Sequence, residues 1–177
     1  MPQPLHHPPH IYLDDTWYML TGSVYRRERL LHPAGYKDLV RDQLKTLSQE
    51  FELQLAAWVI LDNHYHVLLK SKVGTALSRF TARLHGRTSF EINNRDHKRG
   101  RQVWHNYWDT CMRTERDYWT RFNYIHHNPV KHGYVKQMQD WEFSSYGYYL
   151  KHKGEDWLAD TWMQYPVIDF TDARDTF

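Results

Sequence analysis

The amino-acid sequence predicts an α+β fold, a ferredoxin-like antiparallel sheet in β-α-β-β-α-β order with an additional helix after the fourth strand. Short segments rich in aromatic and β-branched residues, typical of strands, alternate with longer segments whose apolar residues recur at helical spacing. An Asp-Asn pair at 62–63 separates two strand-like segments, as in a hairpin. The length of 177 residues suits one domain of ordinary size.

The first half of the chain predicts three strands and one helix. Thr16–Val24 mixes aromatic, β-branched and apolar residues at strand length. In residues 35–51 the apolar positions fall on one face with charged residues between them, which predicts a helix with one buried face. Residues 53–61 and 64–70 predict two short strands joined by the 62–63 turn.

The second half predicts two further helices and one strand. Residues 75–87 carry apolar side chains at helical spacing, and the polar stretch 93–102 predicts a surface loop. Residues 103–112 predict the fourth strand, and a third helix begins at Glu115. This order buries one sheet face under two helices and leaves the other face free for an additional element.

The third helix is predicted to end near Asn128. Pro129 follows that residue, and Gly133 lies shortly after it. A proline disfavours the helical conformation in the residue before it, and glycine commonly follows a helix end.

Composition indicates a folded chain but leaves its function open. The sequence is 41% hydrophobic and 16% aromatic, while a net charge of +2 is too small to indicate nucleic-acid binding by itself. A lone Cys111 and the lack of any apolar run of about 18 residues predict a cytoplasmic protein without a membrane segment. We expect one domain over 1–177, with the proline-rich segment 1–11 as an extended arm and 141–177 as a tail packed on the domain.

His64 and His66 are candidate metal ligands. They are separated by one residue on a predicted strand, so both imidazoles should project from the same face, with Tyr65 and Val67 on the other. In the predicted topology this strand lies in the middle of the sheet, where side-chain geometry is well fixed. The alternative is that both are partly buried structural histidines that form hydrogen bonds, since a pattern of three residues is short.

Tyr124 is a candidate nucleophile on the third helix. The apolar stripe of that helix is formed by residues 118, 122 and 125, and Tyr124 falls outside it. Arg121, Tyr124 and Asn128 share a second face, which places a guanidinium, a phenol and a carboxamide side by side. The alternative is a tyrosine that packs its ring and hydrogen-bonds its hydroxyl.

Basic residues suggest nucleic-acid contacts at two places. Arg79, Arg83 and Arg87 recur every four residues and would form a ridge on the second helix, although a solvated helix face explains them equally well. Lys131 and His132 follow Tyr124 closely and are candidates for phosphate contacts by position.

Two segments together resemble a REP-associated tyrosine transposase, an IS200-like transposase within the HUH superfamily of single-strand nucleases. Residues 57–68 are similar to that family's His-hydrophobic-His strand, and residues 124–133 are similar to its tyrosine helix. Weaker similarity extends over residues 12–150, and the order and spacing of the elements agree.

The resemblance implies that His64, His66 and Asn128 bind a divalent metal, Mg²⁺ or Mn²⁺, and that Tyr124 is the nucleophile. The wider class often has glutamine at the position of Asn128, and asparagine offers the same amide oxygen on a shorter side chain. The expected DNA contacts are the arginine ridge of the second helix, Arg121, Lys131 and His132.

The activity implied is cleavage and strand transfer on single-stranded, hairpin-containing DNA through a 5′-phosphotyrosine, by a monomer rather than a homodimer. Two other hypotheses remain: a non-catalytic nucleic-acid-binding module on the same fold, and a metal-dependent phosphodiesterase that uses water.

Overall fold

The computed structural model describes residues 12–167, so the predicted arm at 1–11 and the last ten residues of the predicted tail lie outside the described part. Within it, the elements are β1 (Thr16–Val24), α1 (Ala34–Glu50), β2 (Gln54–Ile60), β3 (His64–Ser71), α2 (Thr75–Arg95), β4 (Trp104–Cys111), α3 (Glu115–Lys131), α4 (Tyr146–Lys153) and α5 (Glu155–Gln164). The predicted β-α-β-β-α-β order with an additional helix is confirmed.

The four strands form one antiparallel sheet in the order β2-β3-β1-β4. The strand β3, which carries both histidines of the predicted pair, is therefore internal, as the topology predicts. In the register of the sheet, Thr21 of β1 and Val59 of β2 flank His66, and Ser23 of β1 lies opposite His64. Both imidazoles are thus attached to backbone that is hydrogen-bonded on both sides.

The two faces of the sheet carry different layers. Tyr65 and Val67 point into the core that α1 and α2 cover, where they join buried residues such as Leu44 and Phe80. Each large apolar side chain buried there contributes roughly 1.5–3 kcal/mol to stability. Because side chains alternate along a strand, the histidines of β3 point to the opposite face, on which α3 packs.

The helix α2 is longer than the sequence predicts. It continues from residue 87 to Arg95, so the first residues of the predicted 93–102 loop are helical. The buried face continues through Thr88 and Ile92, and the Thr88 hydroxyl donates to the Leu84 carbonyl at 2.7 Å. Thr88 also accepts a hydrogen bond from the indole of Trp104 at 2.9 Å, which makes a polar residue suitable for this buried position.

The prediction that α3 ends near Asn128 is wrong, because the helix continues through Pro129 to Lys131. Pro129 has no amide hydrogen to donate to the Ile125 carbonyl, so the last turn of α3 lacks that bond, but the residues that follow it stay helical. The end is set instead by Gly133, whose φ of 71° lies in the left-handed region that glycine adopts readily. Asn128 is therefore held inside the last turn of regular helix.

The part of the tail that the structure describes packs against α3 and beside β2, where the Ser145 amide donates to the Trp58 carbonyl at 2.9 Å. The ring of Phe122 lies 4.8 Å from that of Tyr149 in α4 and 6.0 Å from that of Trp157 in α5. The Asn123 amide donates to the carbonyl of Thr161 at 3.0 Å. The apolar stripe of α3 thus contacts the tail helices, while another face of α3 lies against the sheet.

Candidate functional site

The two histidines of β3 lie together in the interior, with ring centroids 5.0 Å apart. His64 is fully buried and His66 is 2% exposed. Burial, followed by the nearby charge of His132, lowers the pKa of His64 to about 3, and burial likewise lowers the pKa of His66 well below its usual value. Both rings are therefore neutral at physiological pH, the form in which histidine binds metals.

Neighbouring side chains fix the orientation of both rings. The Nδ1 atom of His64 lies 2.7 Å from Oδ1 of Asn63, whose own amide nitrogen donates to the Arg27 carbonyl at 3.4 Å. Because that second bond directs Oδ1 toward the ring, His64 donates from Nδ1 and keeps a lone pair on Nε2. The Nδ1 atom of His66 lies 2.7 Å from the Thr21 hydroxyl in the same way. Contacts of this kind set the tautomer of metal-binding histidines.

Asn128 meets His64 from the opposite side. It is fully buried, and its Oδ1 atom lies 3.1 Å from Nε2 of His64. With the Nδ1 proton on the side of Asn63, the two facing atoms both carry lone pairs. The amide nitrogen of Asn128 has no hydrogen-bond partner among the described residues. A cation shared by the amide oxygen and the imidazole would make this contact favourable, so the donor set fits a divalent metal.

No three histidine, cysteine, aspartate or glutamate side chains converge on one point within residues 12–167. A metal at the histidine pair would therefore take its third protein ligand from a different group. The amide oxygen of Asn128 is the group that the structure places there.

Tyr124 lies beside the histidine pair. Its ring centroid is 5.5 Å from that of His66, and its hydroxyl accepts a hydrogen bond from Nζ of Lys131 at 3.2 Å. The residue is only 3% exposed, although it lies outside the apolar stripe of α3. Because α3 is covered on one side by the tail and on another by the sheet, the face that bears Tyr124 and Asn128 is also buried.

Three predicted DNA-contact residues lie close to this centre. The ring of His132 is 5.3 Å from that of His64. Arg121 and Lys131 are among the charges that, after burial, lower the pKa of His66. The site therefore combines neutral imidazoles with a positive environment, which suits an anionic substrate.

The structure does not bring the arginine ridge of α2 to this site. Arg79, Arg83 and Arg87 belong to the layer on the opposite face of the sheet. Arg83 and Arg87 form ion pairs with Glu50 of α1 at 3.6 Å and 3.0 Å, and Arg79 lies over the ring of Phe51. Any DNA contact made by this ridge would be separate from the histidine pair.

The sequence reasoning missed the two residues that orient the imidazoles. Asn63 could have been found, since it directly precedes His64. Thr21 could not, because it meets His66 only through the pairing of two strands.

An ion-pair network supports the turn before His64. Asp62 is buried and receives Nζ of Lys37 at 2.7 Å and a guanidinium nitrogen of Arg29 at 2.5 Å. Burial alone would raise the pKa of this carboxyl, and hydrogen bonds from Lys37, His32 and Arg29 outweigh it, so the pKa is lowered. The ionised carboxylate thereby fixes the two-residue loop from which His64 enters the sheet.

None of the helices in the described part of the chain is long and apolar enough to cross a membrane.

Known proteins resemble this chain in sequence and in fold. The family model described as "Transposase IS200 like" matches residues 14–128. A REP-associated tyrosine transposase of Escherichia coli is 30% identical over 134 residues, which cover 74% of this chain and 76% of that protein. A solved structure of a REP-associated tyrosine transposase bound to a REP hairpin has a TM-score of 0.70, with 23% identity over 94% of this chain and 96% of the other.

Proposed function

Since the chain belongs to the IS200-like transposase family, in its REP-associated tyrosine transposase branch, we propose that it cleaves and rejoins single-stranded, hairpin-containing DNA with Tyr124 as nucleophile. Membership makes it a DNA-cleaving enzyme of the tyrosine type. The observation that supports the assignment is that the Tyr124 ring lies 5.5 Å from that of His66, one helical turn from an Asn128 amide that faces His64.

His64, His66 and Asn128 would hold a divalent metal. Two imidazoles and an amide form a neutral donor set, and we expect Mg²⁺ or Mn²⁺ because the substrate supplies phosphate oxygens. When bound, the metal would polarise a non-bridging oxygen of the scissile phosphate. Asn63 and Thr21 contact the Nδ1 atoms of His64 and His66, so Nε2 of each ring would be the atom that binds the ion.

Tyr124 supplies the covalent step. Its hydroxyl loses a proton and its oxygen bonds to phosphorus, while the bond from phosphorus to the 3′ oxygen breaks and that oxygen takes up a proton. The products are a 5′-phosphotyrosine and a free 3′-hydroxyl. Because the phosphodiester bond energy is retained, another 3′-hydroxyl can later displace the tyrosine without ATP.

The burial of the site supports a single-stranded substrate. Because His66 is 2% exposed and Tyr124 is 3% exposed, a flexible single strand can bring a phosphate to them more readily than the rigid backbone of a duplex can. The relative with the solved structure is bound to a REP hairpin, which supports hairpin DNA with an unpaired flank as the substrate class. We expect Arg121 and His132 to contact phosphates near the scissile bond, because both lie close to the histidine pair. We propose that the enzyme acts as a monomer in the cytoplasm.

The experiment is incubation with labelled hairpin oligonucleotides that carry single-stranded flanks, in Mn²⁺ or Mg²⁺, followed by a denaturing gel. The wild type should give a protein–DNA band that resists denaturation, and Tyr124→Phe should bind the same DNA without forming it. An undiminished adduct in Tyr124→Phe would exclude this nucleophile. Strand breaks without attached protein would indicate water as the nucleophile, and binding without breaks would indicate a binding module.

A further inference from the structure

Lys131 contacts the oxygen that the proposed function makes the nucleophile. Its Nζ atom lies 3.2 Å from the Tyr124 hydroxyl oxygen and 5.0 Å from the centroid of the same ring. Its position in the sequence alone suggests a phosphate contact for this lysine. The geometry points to a different role, and we propose that Lys131 is a catalytic residue whose ammonium group stabilises negative charge on the Tyr124 oxygen during both cleavage and rejoining. This inference rests on the assignment of Tyr124 as nucleophile.

The helix itself brings the two groups together. Residues 124 and 131 are seven positions apart, close to two full turns, so their side chains leave α3 on the same face. Helix α3 extends past Pro129 as far as Lys131, which keeps the lysine on that regular spacing. Had the helix ended at Asn128, no fixed relation between the lysine and the phenol would follow.

The surroundings favour a charge-stabilising role over a purely structural bond. Tyr124 is 3% exposed, so water offers its oxygen little stabilisation when the proton leaves. Lysine has a long, flexible side chain, and ordering it costs up to about 2 kcal/mol of side-chain entropy. A hydrogen bond to a neutral phenol returns little of that cost, whereas a bond from an ammonium group to a phenolate is about twice as strong.

The two directions of the reaction use the same contact. In cleavage, the Tyr124 oxygen gives its proton to solvent and bonds to phosphorus, and the 3′ oxygen leaves with the electron pair and takes up a proton. In rejoining, an incoming 3′-hydroxyl loses its proton and bonds to phosphorus, and the electron pair of the breaking bond returns to the Tyr124 oxygen. Lys131 remains protonated throughout and donates to that oxygen whenever it carries charge.

The rejoining step separates this role from DNA affinity. A lysine that only binds phosphate would affect how much DNA is held, and saturating DNA would restore the rate. A lysine that stabilises the leaving phenolate would affect the rate at which an already formed adduct resolves, at any DNA concentration. Loss of one donor to a developing oxyanion typically lowers a rate by about 10²- to 10³-fold.

The test compares Lys131→Met, Lys131→Arg and the control Lys136→Met, which removes an exposed lysine outside the site. With saturating hairpin oligonucleotide and Mn²⁺, Lys131→Met should form the adduct about 10²-fold more slowly than the wild type. Adduct that it does form, once isolated and supplied with an oligonucleotide bearing a 3′-hydroxyl, should resolve more slowly by a similar factor. Lys131→Arg, which keeps a charged donor, should recover much of both rates, and Lys136→Met should match the wild type.

Equal rates for Lys131→Met and the wild type would overturn the proposal, as would a defect that saturating DNA removes. Circular dichroism and thermal melting of each variant would establish that it is folded, and recovery in Lys131→Arg would independently exclude a folding defect. If the wild type itself forms no adduct, the proposed function fails and this inference fails with it. If the wild type forms the adduct and Lys131→Met forms it equally fast, only the role of Lys131 is rejected.

Discussion

The Nε2 atom of His64 and the Oδ1 atom of Asn128 lie 3.1 Å apart where β3 meets α3. Asn63 takes the other ring nitrogen of His64, so two lone pairs face each other inside the protein. A cation between them would join the sheet to the helix that carries Tyr124. Metal binding and the position of the nucleophile would then be coupled.

Two substitutions of Asn128 should change the metal affinity in opposite directions. Asn128→Asp adds a negative charge to a neutral donor set and should bind Mn²⁺ more tightly. Asn128→Ala removes a ligand and should bind at least about tenfold more weakly, since loss of even an outer contact to a metal ligand costs about 10- to 100-fold in affinity. The measurement is the melting temperature against Mn²⁺ concentration, because a ligand at about 100 times its Kd stabilises the folded state by roughly 2.7 kcal/mol. If neither Mn²⁺ nor Mg²⁺ raises the melting temperature of the wild type, the metal assignment is contradicted.

Thr21 should contribute to metal affinity without touching the metal. Thr21→Val removes the hydroxyl that lies 2.7 Å from Nδ1 of His66 and nearly preserves volume, so the ring loses its fixed orientation. Loss of such a contact typically weakens metal binding by about 10- to 100-fold. The matched control is Thr81→Val, since Thr81 is also buried and its hydroxyl donates to the Leu77 carbonyl within α2, away from the histidine pair. The role is refuted if titration with Mn²⁺ gives the same affinity for both variants.

His85 should make the protein less stable in mild acid. Its ring stacks on Trp104 with centroids 4.7 Å apart, and burial lowers its pKa from 6.5 to about 4. Between these values the unfolded chain binds the proton and the folded chain does not. Above pH 6.5 His85 therefore costs the folded state nothing. As the pH falls from 6.5 toward 4 the free energy of unfolding decreases, and the decrease due to His85 is about 2 kcal/mol at pH 5.

The substitution His85→Phe keeps a ring at that position and removes the titration. Urea unfolding at pH 7 and pH 5 should show a smaller loss of stability in the variant than in the wild type, by about 2 kcal/mol. The hydrogen bond to the Tyr65 hydroxyl, which the variant also loses, affects both pH values alike. Other buried histidines contribute equally to both proteins. If the wild type and His85→Phe lose the same free energy of unfolding between pH 7 and pH 5, His85 does not cause the loss of stability in acid.

Much of the fold follows from local patterns. The bounds of β1 and the two-residue turn before β3 agree with the prediction, because strand composition and turn residues act over a few positions. Two helix ends do not. In α2 the buried face includes the polar residue Thr88, so the apolar pattern is interrupted before the helix ends. In α3 the helix continues past Pro129, which was expected to end it.

By itself, the sequence determined the order of the elements, the shared face of His64 and His66, and the helix that carries Tyr124, since each depends on a repeat distance along one strand or helix. Only the tertiary structure decided that Tyr124 is buried beside His66, that Thr21 holds that imidazole, and that the arginine ridge lies in the other layer. These relations join residues distant in the chain. They depend on which face of each element is covered by which neighbour, and the periodicity of a single segment carries no information about that.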